Sequence, residues 1–545
     1  MMNSSRHNLL ALSIAVLSAP TFAQTTPDAG ALQQQIDRER QQPLPQRVAP
    51  AKPAPAAMKP VTGAVVTVKQ FRFVGNTLQS SEQLAPVVAA YLNRPLDFVQ
   101  LNEAAAAVAE AYRAAGWVVN AYLPQQDIKD GIVTIQIIEA VFGRLKTEGP
   151  VSKRIAPGRV DAIFAAQQGS GASLNAVALD RGLLLADDLP GVTVAGSLAA
   201  GRQPGETDLI LTMADEPLII GGVALDNAGD RSTGQERLTA NINLNSPLGL
   251  GDLLSSNLIH AEGNDYLRLA YSLPVGNDGW RVGINGSSLE YDLVNNDFDG
   301  LHGKGSSNTA GLDASYPILR SRLANLYLNL NYDHKRFDNE SLGTTTTRYT
   351  IDSTSVALNG NLFDNWGGGG ANSTSLAWTS GSRDNDVGVT NEHFSKLRYS
   401  LSRQQVITND LSFYAAVSGQ ESDDELDSAE QFYLGGAYGV RAYPGSEGGG
   451  DSGVLTNLEL RWKLPEGFTL TGFHDYGQVR NEDNRPSYSL KGYGLSLGWQ
   501  TPVGANLKAT WAHRIGDNPN PTPAGKDQDG SLDKNRLWLS ATLPF

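Results

Sequence analysis

The side chains best suited to chemistry in this chain are charged groups set within segments of alternating polarity. Residues 468–479 form such a segment, and one parity of it is mostly polar: Thr469, Thr471, Phe473, Asp475 and Gly477. Successive side chains of a strand point to opposite faces, so these five share one face. If that face lines a channel, Asp475 is a carboxylate in a confined space, where a paired cation offsets the lost hydration. The sequence therefore predicts an inward carboxylate that needs a cationic partner.

A long segment before this strand contains one candidate cation. Residues 421–452 are too many for a tight turn, are rich in glycine, and include a single arginine, Arg441, within a short aromatic and aliphatic cluster. A loop of this length is usually functional or disordered. The alternative interpretation is that Arg441 is a solvated surface arginine, since an exposed charge gains little from any partner.

No residue pattern typical of an enzyme occurs elsewhere in the chain. There is no cysteine, and the seven histidines are scattered, with His474 and His513 on strand faces. No HExxH, P-loop or GxSxG arrangement is present. We therefore expect no catalytic activity, no metal, no cofactor and no use of nucleotide. The net charge of −14 also argues against a nucleic-acid partner.

The first 64 residues predict an export signal followed by a tethered helix. Residues 1–23 combine Arg6, a short apolar run and a small-residue site ending at Ala23, which is typical of a cleaved signal peptide. Residues 24–64 contain ALQQQIDRERQQ, with Leu32 and Ile36 about one helical turn apart, and then a stretch rich in proline and alanine. We predict a short helix at 31–42 on a semi-extended tether at 43–60; a disordered terminus is the alternative.

Residues 65–217 predict two copies of one small α/β domain. In 65–141 the order is strand, helix, helix, strand, strand, at residues 66–73, 81–92, 101–115, 117–123 and 132–138. The same order repeats in 142–217, at residues 142–146, 155–167, 174–186, 192–198 and 208–213. A repeat of this length indicates duplication of one structural unit.

Residues 218–545 predict a closed transmembrane antiparallel β-barrel. Long segments alternate apolar and polar residues, and tight turns alternate with longer polar loops. We count sixteen strand candidates, beginning near residues 219, 236, 252, 265, 280, 309, 322, 348, 372, 393, 409, 454, 468, 487, 506 and 535. In the last of them, NRLWLSATLPF, apolar residues share one face; an edge strand of a soluble sheet is the alternative. A barrel must close, because unpaired backbone groups are costly in lipid.

Several stretches resemble the outer-membrane transporters of two-partner secretion, the haemolysin and haemagglutinin activation and secretion family. FRFVGNT, YRAAGW and LPQQDIKDGIVTIQIIEA resemble its first periplasmic polypeptide-transport-associated (POTRA) domain. LDNAGDRSTGQER and NSPLGLGD resemble the start of its barrel, and FYLGGAYGVRAYP and FHDYG resemble its inward loop and partner strand. The glycine that often follows the loop arginine is Ala442 here. The resemblance implies a plug helix and its proline- and alanine-rich linker at 24–64, POTRA domains at 65–141 and 142–217, and a barrel of sixteen strands at 218–545.

The resemblance also implies roles for particular residues in the barrel. It makes Arg441 the cation that pairs with Asp475 and holds the loop in the lumen. Tyr443 and Phe473 belong to the same two motifs. Gly477, which has no side chain, would leave room for the loop to lie against the wall.

In the POTRA domains the expected function is client binding. The third strand of such a domain is central, so a neighbouring edge strand can accept an extended polypeptide by β-augmentation. In the first domain that groove would be bordered by the candidate client-binding residues Tyr112, Trp117, Val119, Ala121 and Leu123. For Tyr112 and Trp117 we favour the alternative interpretation, that they pack the core of the domain.

The expected protein is an outer-membrane translocator of a Gram-negative bacterium, with its POTRA domains in the periplasm. It would bind one large unfolded secreted protein, such as an adhesin or haemolysin, and export it through the barrel to the cell surface. Membrane lipids and the outer-membrane assembly machinery are further expected partners. The alternatives are a barrel-insertion factor, which usually carries more POTRA domains, a passive porin, and an outer-membrane enzyme.

Overall fold

The computed structural model describes residues 28–40, 65–295, 300, 302–388, 390–482 and 486–545. The predicted signal peptide at 1–23 and tether at 43–60 lie outside the described residues. Helix α1, Ala29–Arg40, begins two residues before its predicted position at 31–42. Within the described ranges, no helix is long and apolar enough to cross a membrane.

The first α/β domain packs two helices against a three-stranded sheet. Its elements are β1 Val66–Thr67, β2 Gln70–Val74, α2 Ser81–Val88, β3 Pro95–Leu96, α3 Phe98–Ala114, β4 Val119–Tyr122 and β5 Ile132–Glu139. The sheet order is β2-β5-β4, with the last strand central and β4 at an edge. Helix α3 begins at a capping box, in which the Asp97 side chain accepts from the Gln100 N–H and Gln100 accepts from the Asp97 N–H.

The start of this domain differs from the prediction of one strand over 66–73. The chain forms β1, which pairs with β3, and β2, which pairs in parallel with β5. The break lies at Val68, which is fully buried, and Lys69, whose N–H donates to the Gly131 carbonyl at 2.8 Å. This hydrogen bond lies between β1 and β2, where the predicted single strand is interrupted. The first helix also ends earlier than predicted, at Val88, and a 3-10 turn continues it to Tyr91.

The second α/β domain repeats the same arrangement and is joined to the first by backbone pairing. Its elements are β6 Val141–Thr147, α4 Pro157–Gln167, α5 Ala176–Asp187, β7 Val192–Ala200 and β8 Glu206–Asp215, with sheet order β6-β8-β7. The N–H of Val118 donates to the Leu174 carbonyl at 3.1 Å, and the N–H of Ala176 donates to the Gly116 carbonyl at 2.8 Å. Residues just before β4 therefore hold the two domains together.

The remainder of the chain forms one closed barrel of sixteen antiparallel strands. The strands are β9 Ile219–Asp226, β10 Arg237–Asn245, β11 Leu253–Ala261, β12 Asn264–Val275, β13 Trp280–Asp292, β14 Lys304–Arg320, β15 Ala324–Ser341, β16 Thr344–Asp364, β17 Gly370–Val387, β18 Glu392–Val406, β19 Leu411–Glu421, β20 Ser452–Lys463, β21 Phe468–Arg480, β22 Tyr488–Gln500, β23 Asn506–Arg514 and β24 Asn535–Pro544. Every strand begins within five residues of its predicted start, the largest difference being 309 against Lys304. The predicted fold class is confirmed.

Alternation along the strands separates the two faces of the barrel wall. Apolar side chains such as Ile284, Leu401 and Leu537 are exposed on the outside. The other parity is mostly polar and faces the lumen. The barrel closes where β24 pairs with β9, with Ser540 opposite Asp226 and Pro544 opposite Gly222. Closure leaves no free sheet edge, as a lipid environment requires.

The second α/β domain is attached to one end of the barrel, called the near end here. Arg320 forms a bidentate pair with Asp188, with both N–O distances at 2.8 Å, and Arg322 pairs with Asp180 at 2.7 Å. Arg181 donates to the Asp278 and Pro317 carbonyls at 3.2 and 3.0 Å. Charged contacts thus hold α5 against the turns that join the strands at this end.

One carboxylate, that of Glu139, joins the layers of the first α/β domain. It accepts from the N–H groups of Thr77 at 2.7 Å and Leu78 at 2.8 Å, and from the Tyr112 hydroxyl at 2.9 Å. Burial acts to raise the pKa of Glu139, but the hydrogen bonds from Leu78, Thr77 and Tyr112 together outweigh it and lower the pKa. The folded domain therefore favours the ionised carboxylate.

We predict that Glu139→Gln lowers the stability of this domain and flattens its acid sensitivity. Because the folded pKa is depressed, the carboxylate stabilises the fold above the ordinary glutamate pKa, and this contribution is lost as the pH falls through the folded pKa. The variant should lose about 1 kcal/mol near neutral pH. Urea denaturation of a soluble 65–217 fragment, from about pH 7 to about pH 3, measures both effects. Identical pH profiles for the two proteins would contradict the assignment.

Candidate functional site

The lumen of the barrel is occupied by two segments of the chain itself. One is the segment between β19 and β20, residues 422–451, which folds back into the barrel and is called the inward loop here; most of its residues are buried. The other is helix α1, whose Ala29, Leu32 and Ile36 are buried among lumen-facing side chains. The residues that fix these two segments define the candidate site.

The inward loop is held at its tip by Arg441. Its guanidinium binds both carboxylate oxygens of Asp475, with Nε–Oδ2 at 2.8 Å and Nη2–Oδ1 at 2.7 Å, and its backbone N–H donates to Oδ2 at 3.1 Å. Asp475 is fully buried on β21 and Arg441 is 5% exposed. Asn457 on β20 donates to Asp475 Oδ1 at 2.8 Å. A bidentate pair with its remaining lone pairs satisfied has the geometry that offsets burial of both charges.

Sequence reasoning did not identify two further contacts of Arg441. Its Nη1 donates to Glu459 Oε1 on β20 at 2.8 Å, and Glu459 is also paired with Arg461 at 2.6 Å. Its backbone carbonyl accepts from the indole N–H of Trp538 on β24 at 2.8 Å. The parity of Glu459 could have placed it in the lumen, but nothing in the sequence connects it to a loop eighteen residues earlier.

The other residues of the two motifs surround this ion pair. The Arg441 guanidinium lies 3.5 Å from the centre of the Phe473 ring, within cation–π range. Tyr443 is buried in the same apolar cluster, and the Arg514 guanidinium lies 4.4 Å from its ring. At Gly477 an added Cβ would lie 2.8 Å from the Leu434 side chain, so the loop packs directly on the backbone there. The structure thus brings Arg441, Asp475, Tyr443, Phe473 and Gly477 together.

A second group of charges fixes the inward loop nearer its start. Glu430 is buried and pairs with Lys335 on β15 at 2.7 Å and with Lys396 on β18. Lys396 also donates to the Glu430 carbonyl at 2.8 Å. Sequence reasoning missed this group. The alternation along β15 and β18 predicts that both lysines face the lumen. Their partner Glu430, however, lies in an irregular segment whose path cannot be predicted from a repeating pattern.

Helix α1 packs against the inward loop as well as against the wall. Ser428 donates to the Asp28 carboxylate at 2.8 Å, and Asp28 caps the helix by accepting from the Ala31 N–H at 2.8 Å. An added Cβ at Gly30 would lie 2.9 Å from the backbone nitrogen of Ala429. The absence of a side chain at Gly30 therefore permits the close approach of helix and loop.

The second half of α1 makes charged contacts. Arg38 donates to the carbonyls of Tyr433 at 2.6 Å and Gly435 at 2.9 Å in the inward loop. Glu39 pairs with Arg237 on β10 at 3.1 Å. Helix and loop consequently form one connected plug, with two sets of anchors on the barrel wall.

The candidate client-binding residues lie in the first α/β domain, far along the chain from this site. Tyr112 is fully buried in its core, and Trp117, Val119, Ala121 and Leu123 are partly buried against that core. These side chains pack the domain, which is the alternative role considered for Tyr112 and Trp117. The edge of β4 still presents its backbone, because the sheet continues only on the side of β5.

A closed barrel with an inward loop, preceded by two α/β domains, defines an outer-membrane transporter of the POTRA and barrel class. Residues 205–501, more than half of the chain, match the family described as haemolysin secretion/activation protein ShlB/FhaC/HecB. Residues 66–140 match the POTRA domain of ShlB type. The chain belongs to the haemolysin secretion/activation family, so it is an outer-membrane transporter of two-partner secretion with its POTRA domains in the periplasm.

Individual relatives agree with this assignment over most or all of the chain. The heme/hemopexin transporter protein HuxB of Haemophilus influenzae strain 86-028NP is 27% identical over 585 residues, which cover 99% of each chain. The outer membrane transporter CdiB of Dickeya dadantii is 25% identical and covers 82% of this chain and 81% of its own. The solved structure of CdiB from Escherichia coli shares the fold, with a TM-score of 0.74 at 22% identity, covering 96% of this chain and 100% of that one. The predicted family is confirmed.

We predict that Arg441→Ala and Asp475→Ala each impair secretion while the barrel still inserts. Removing one partner of a buried pair typically costs about 3–5 kcal/mol, and less in a wet lumen, but the strand ladders remain. Because both changes break one interaction, the double variant should be little worse than either single one. Secretion assays with heat-modifiability on gels measure both properties.

The matched control is Arg461→Ala, which removes a lumen arginine that also binds Glu459. In the part of the chain that the structure describes, the hydrogen bonds of Arg461 go to Glu459 and Gln404 on the wall. It should secrete far better than Arg441→Ala. Normal secretion by Arg441→Ala at wild-type abundance would show that the ion pair does not anchor the loop functionally.

Proposed function

We propose that this transporter keeps its lumen closed with α1 and the inward loop, binds an extended client on its POTRA domains, and exports the client after α1 leaves the lumen. The observation that carries the proposal is the seating of α1, a polar helix held by a few separable hydrogen bonds and one ion pair. Its partners are Asp28 with Ser428, Arg38 with loop carbonyls, and Glu39 with Arg237. Each of these can be exchanged for water as the helix departs.

The chain length around α1 supports such a movement. Residues 41–64, 24 in number (64 − 40), separate the helix from the first POTRA domain. A chain of that length spans at most about 80 Å when extended. A tether of that reach would keep helix α1 joined to the POTRA domains after it leaves the barrel.

Of the edge strands of the two POTRA sheets, β4 and β7 are the candidates for pairing with an extended client. Edge strand β4 has four residues, and edge strand β7 has nine, paired with β8 along one side from Val192 to Ala200. The N–H of Val194 donates to the Asp187 carboxylate at 2.9 Å, so this N–H points away from β8. The backbone N–H groups at every second residue from Val194 therefore also point away from β8. Beyond Val194, Gly196, Leu198 and Ala200 present backbone groups that a client strand could pair with.

The client is proposed to be one large secreted protein, captured unfolded in the periplasm. Backbone pairing recognises an extended chain with little regard to its sequence, which suits an unfolded client. Transport without nucleotide requires another source of the free energy that makes export unidirectional. Folding of the client outside the cell would supply this free energy. We also propose contact with membrane lipids around the apolar outer face, and delivery to the membrane by the outer-membrane assembly machinery.

Deleting Ala29–Arg40 should raise the single-channel conductance in planar bilayers, because the helix fills lumen that would otherwise hold water. Gly30→Leu serves as a milder variant, since a side chain there collides with the inward loop. It should give an intermediate conductance. Conductance equal to the wild type after the deletion would count against a plug role for α1.

Substituting Leu198 by proline should weaken client binding by the periplasmic domains. Proline removes an outward N–H without breaking the β7–β8 ladder, which a proline on an edge strand tolerates. Leu198→Ala, which shortens an exposed side chain but keeps the N–H, is the matched control and should bind normally. Pull-down with unfolded client measures the difference, and undiminished binding by Leu198→Pro would exclude β7 as the site. Deletion of 65–140 tests the first domain in the same assay and should abolish binding.

A further inference from the structure

The lumen wall has two unlike faces. On β15, β18, β20 and β21 it carries the charged residues that hold the inward loop, namely Lys335, Lys396, Glu459 and Asp475. On β10, β11, β13 and β14 it carries many uncharged amides and hydroxyls, and the charged residues of the same parity are Arg237, Arg281 and Asp313. We call this second face the neutral wall and define it by Asn241, Asn243, Ser255, Asn257, Ser287 and Thr309.

Strand register places most of these residues in one continuous row. Asn241 lies opposite Asn257, Asn257 opposite Arg268, Arg268 opposite Ser287, and Ser287 opposite Thr309. Paired residues share a face, so the row crosses five strands on the lumen side. Arg268 is its one charged member. Asn243 and Ser255 form a second opposed pair beside it.

Helix α1 covers part of this wall without satisfying it. Among the described residues, Asn257 Oδ1, Ser287 Oγ and Thr309 Oγ1 are buried and have no hydrogen-bond partner. Helix α1 offers these atoms no backbone partner, because an α-helix uses its backbone groups internally. Buried polar groups are usually paired, so these three atoms are open to a partner other than the helix backbone.

Open space already adjoins the neutral wall. A cavity of about 490 Å³ lies between the end of α1, at Ile36, Glu39 and Arg40, and the barrel wall. Its wall lining includes Asn241 and Asn257 together with the charged Asp226, Arg237 and Arg268. This volume is in the range of sites that hold small ligands. If α1 left the lumen, the cavity would extend into the space that the helix now occupies. That space is about 10–12 Å wide, which is wider than an extended chain.

We propose that the neutral wall is the track along which an extended client polypeptide passes through the barrel. An extended backbone presents an N–H and a carbonyl at every residue, and amide and hydroxyl side chains can pair with either. That the space now holds a segment of this same chain shows that it fits one polypeptide. Uncharged groups bind a passing chain weakly and at many points, which lets it advance. The inference rests on the proposed function, because it assumes that the client crosses the lumen.

The absence of cysteine from the chain makes the test direct. Single-cysteine variants Asn257→Cys, Ser287→Cys and Asn243→Cys place a thiol on the neutral wall. The matched controls are Ser400→Cys and Ser418→Cys, which lie opposite each other on the lumen face of β18 and β19. All are made in the full-length transporter, and heat-modifiability confirms that each has folded.

The probe is an unstructured peptide of glycine, serine and threonine with one cysteine, about 40 residues long so that it exceeds the bilayer thickness. A concentration gradient drives it across planar bilayers or proteoliposomes that contain each variant, in the presence of a mild oxidant. We expect disulfide formation on the neutral wall to be several-fold faster than at Ser400→Cys or Ser418→Cys. Equal or faster formation at the two controls would overturn the track while leaving export through the lumen intact. A peptide that crosses without forming a disulfide at any lumen position would overturn the proposed function together with the track.

Discussion

The structure depends on one constraint, the need to pair every backbone polar group of a sheet that stands in lipid. Sixteen strands satisfy it by closing on themselves, and closure creates a lumen whose wall is lined by the polar parity of each strand. A lumen of this size would be an open hole across the membrane. The inward loop and α1 fill this lumen. The desolvation of the charges that hold these segments is offset because each charge is paired with a partner inside the lumen.

Those partners are arranged so that each plug segment has its own attachment. Arg441 joins the tip of the loop to Asp475 and Glu459, and Glu430 joins its start to two lysines. Helix α1 is held by hydrogen bonds, several of which join one charged group to a neutral one, such as Arg38 with the loop carbonyls, and by the Glu39–Arg237 ion pair. Removal of one member of a buried charge group leaves the others unpaired, which is strongly unfavourable. The loop is therefore the firmly held part of the plug, and the helix is the part that exchanges more readily with water.

Much of the barrel could be predicted from the sequence because the alternation of polar and apolar residues along a strand is a local property. Alternation places every strand, and parity alone puts Asp475 in the lumen. The partner Arg441 came from motif resemblance, because an irregular loop has no period that reveals its path. For the same reason Glu430 and Glu459 were missed. The split of the first strand at Val68 escaped prediction because it depends on a distant carbonyl, that of Gly131. For Tyr112 the sequence favours a place in the core over one in the groove, and the side chain is fully buried.

The ion pairs between the second POTRA domain and the barrel have a further consequence. Arg320 with Asp188 and Arg322 with Asp180 lie at least partly in contact with water, where dissolved ions weaken such attractions over a distance of about 10 Å at 0.1 M salt. The orientation of the POTRA domains relative to the barrel therefore depends on the salt concentration of the periplasm. At low salt the ion pairs would hold the domains in one orientation, and at high salt the weakened pairs would let the domains rotate.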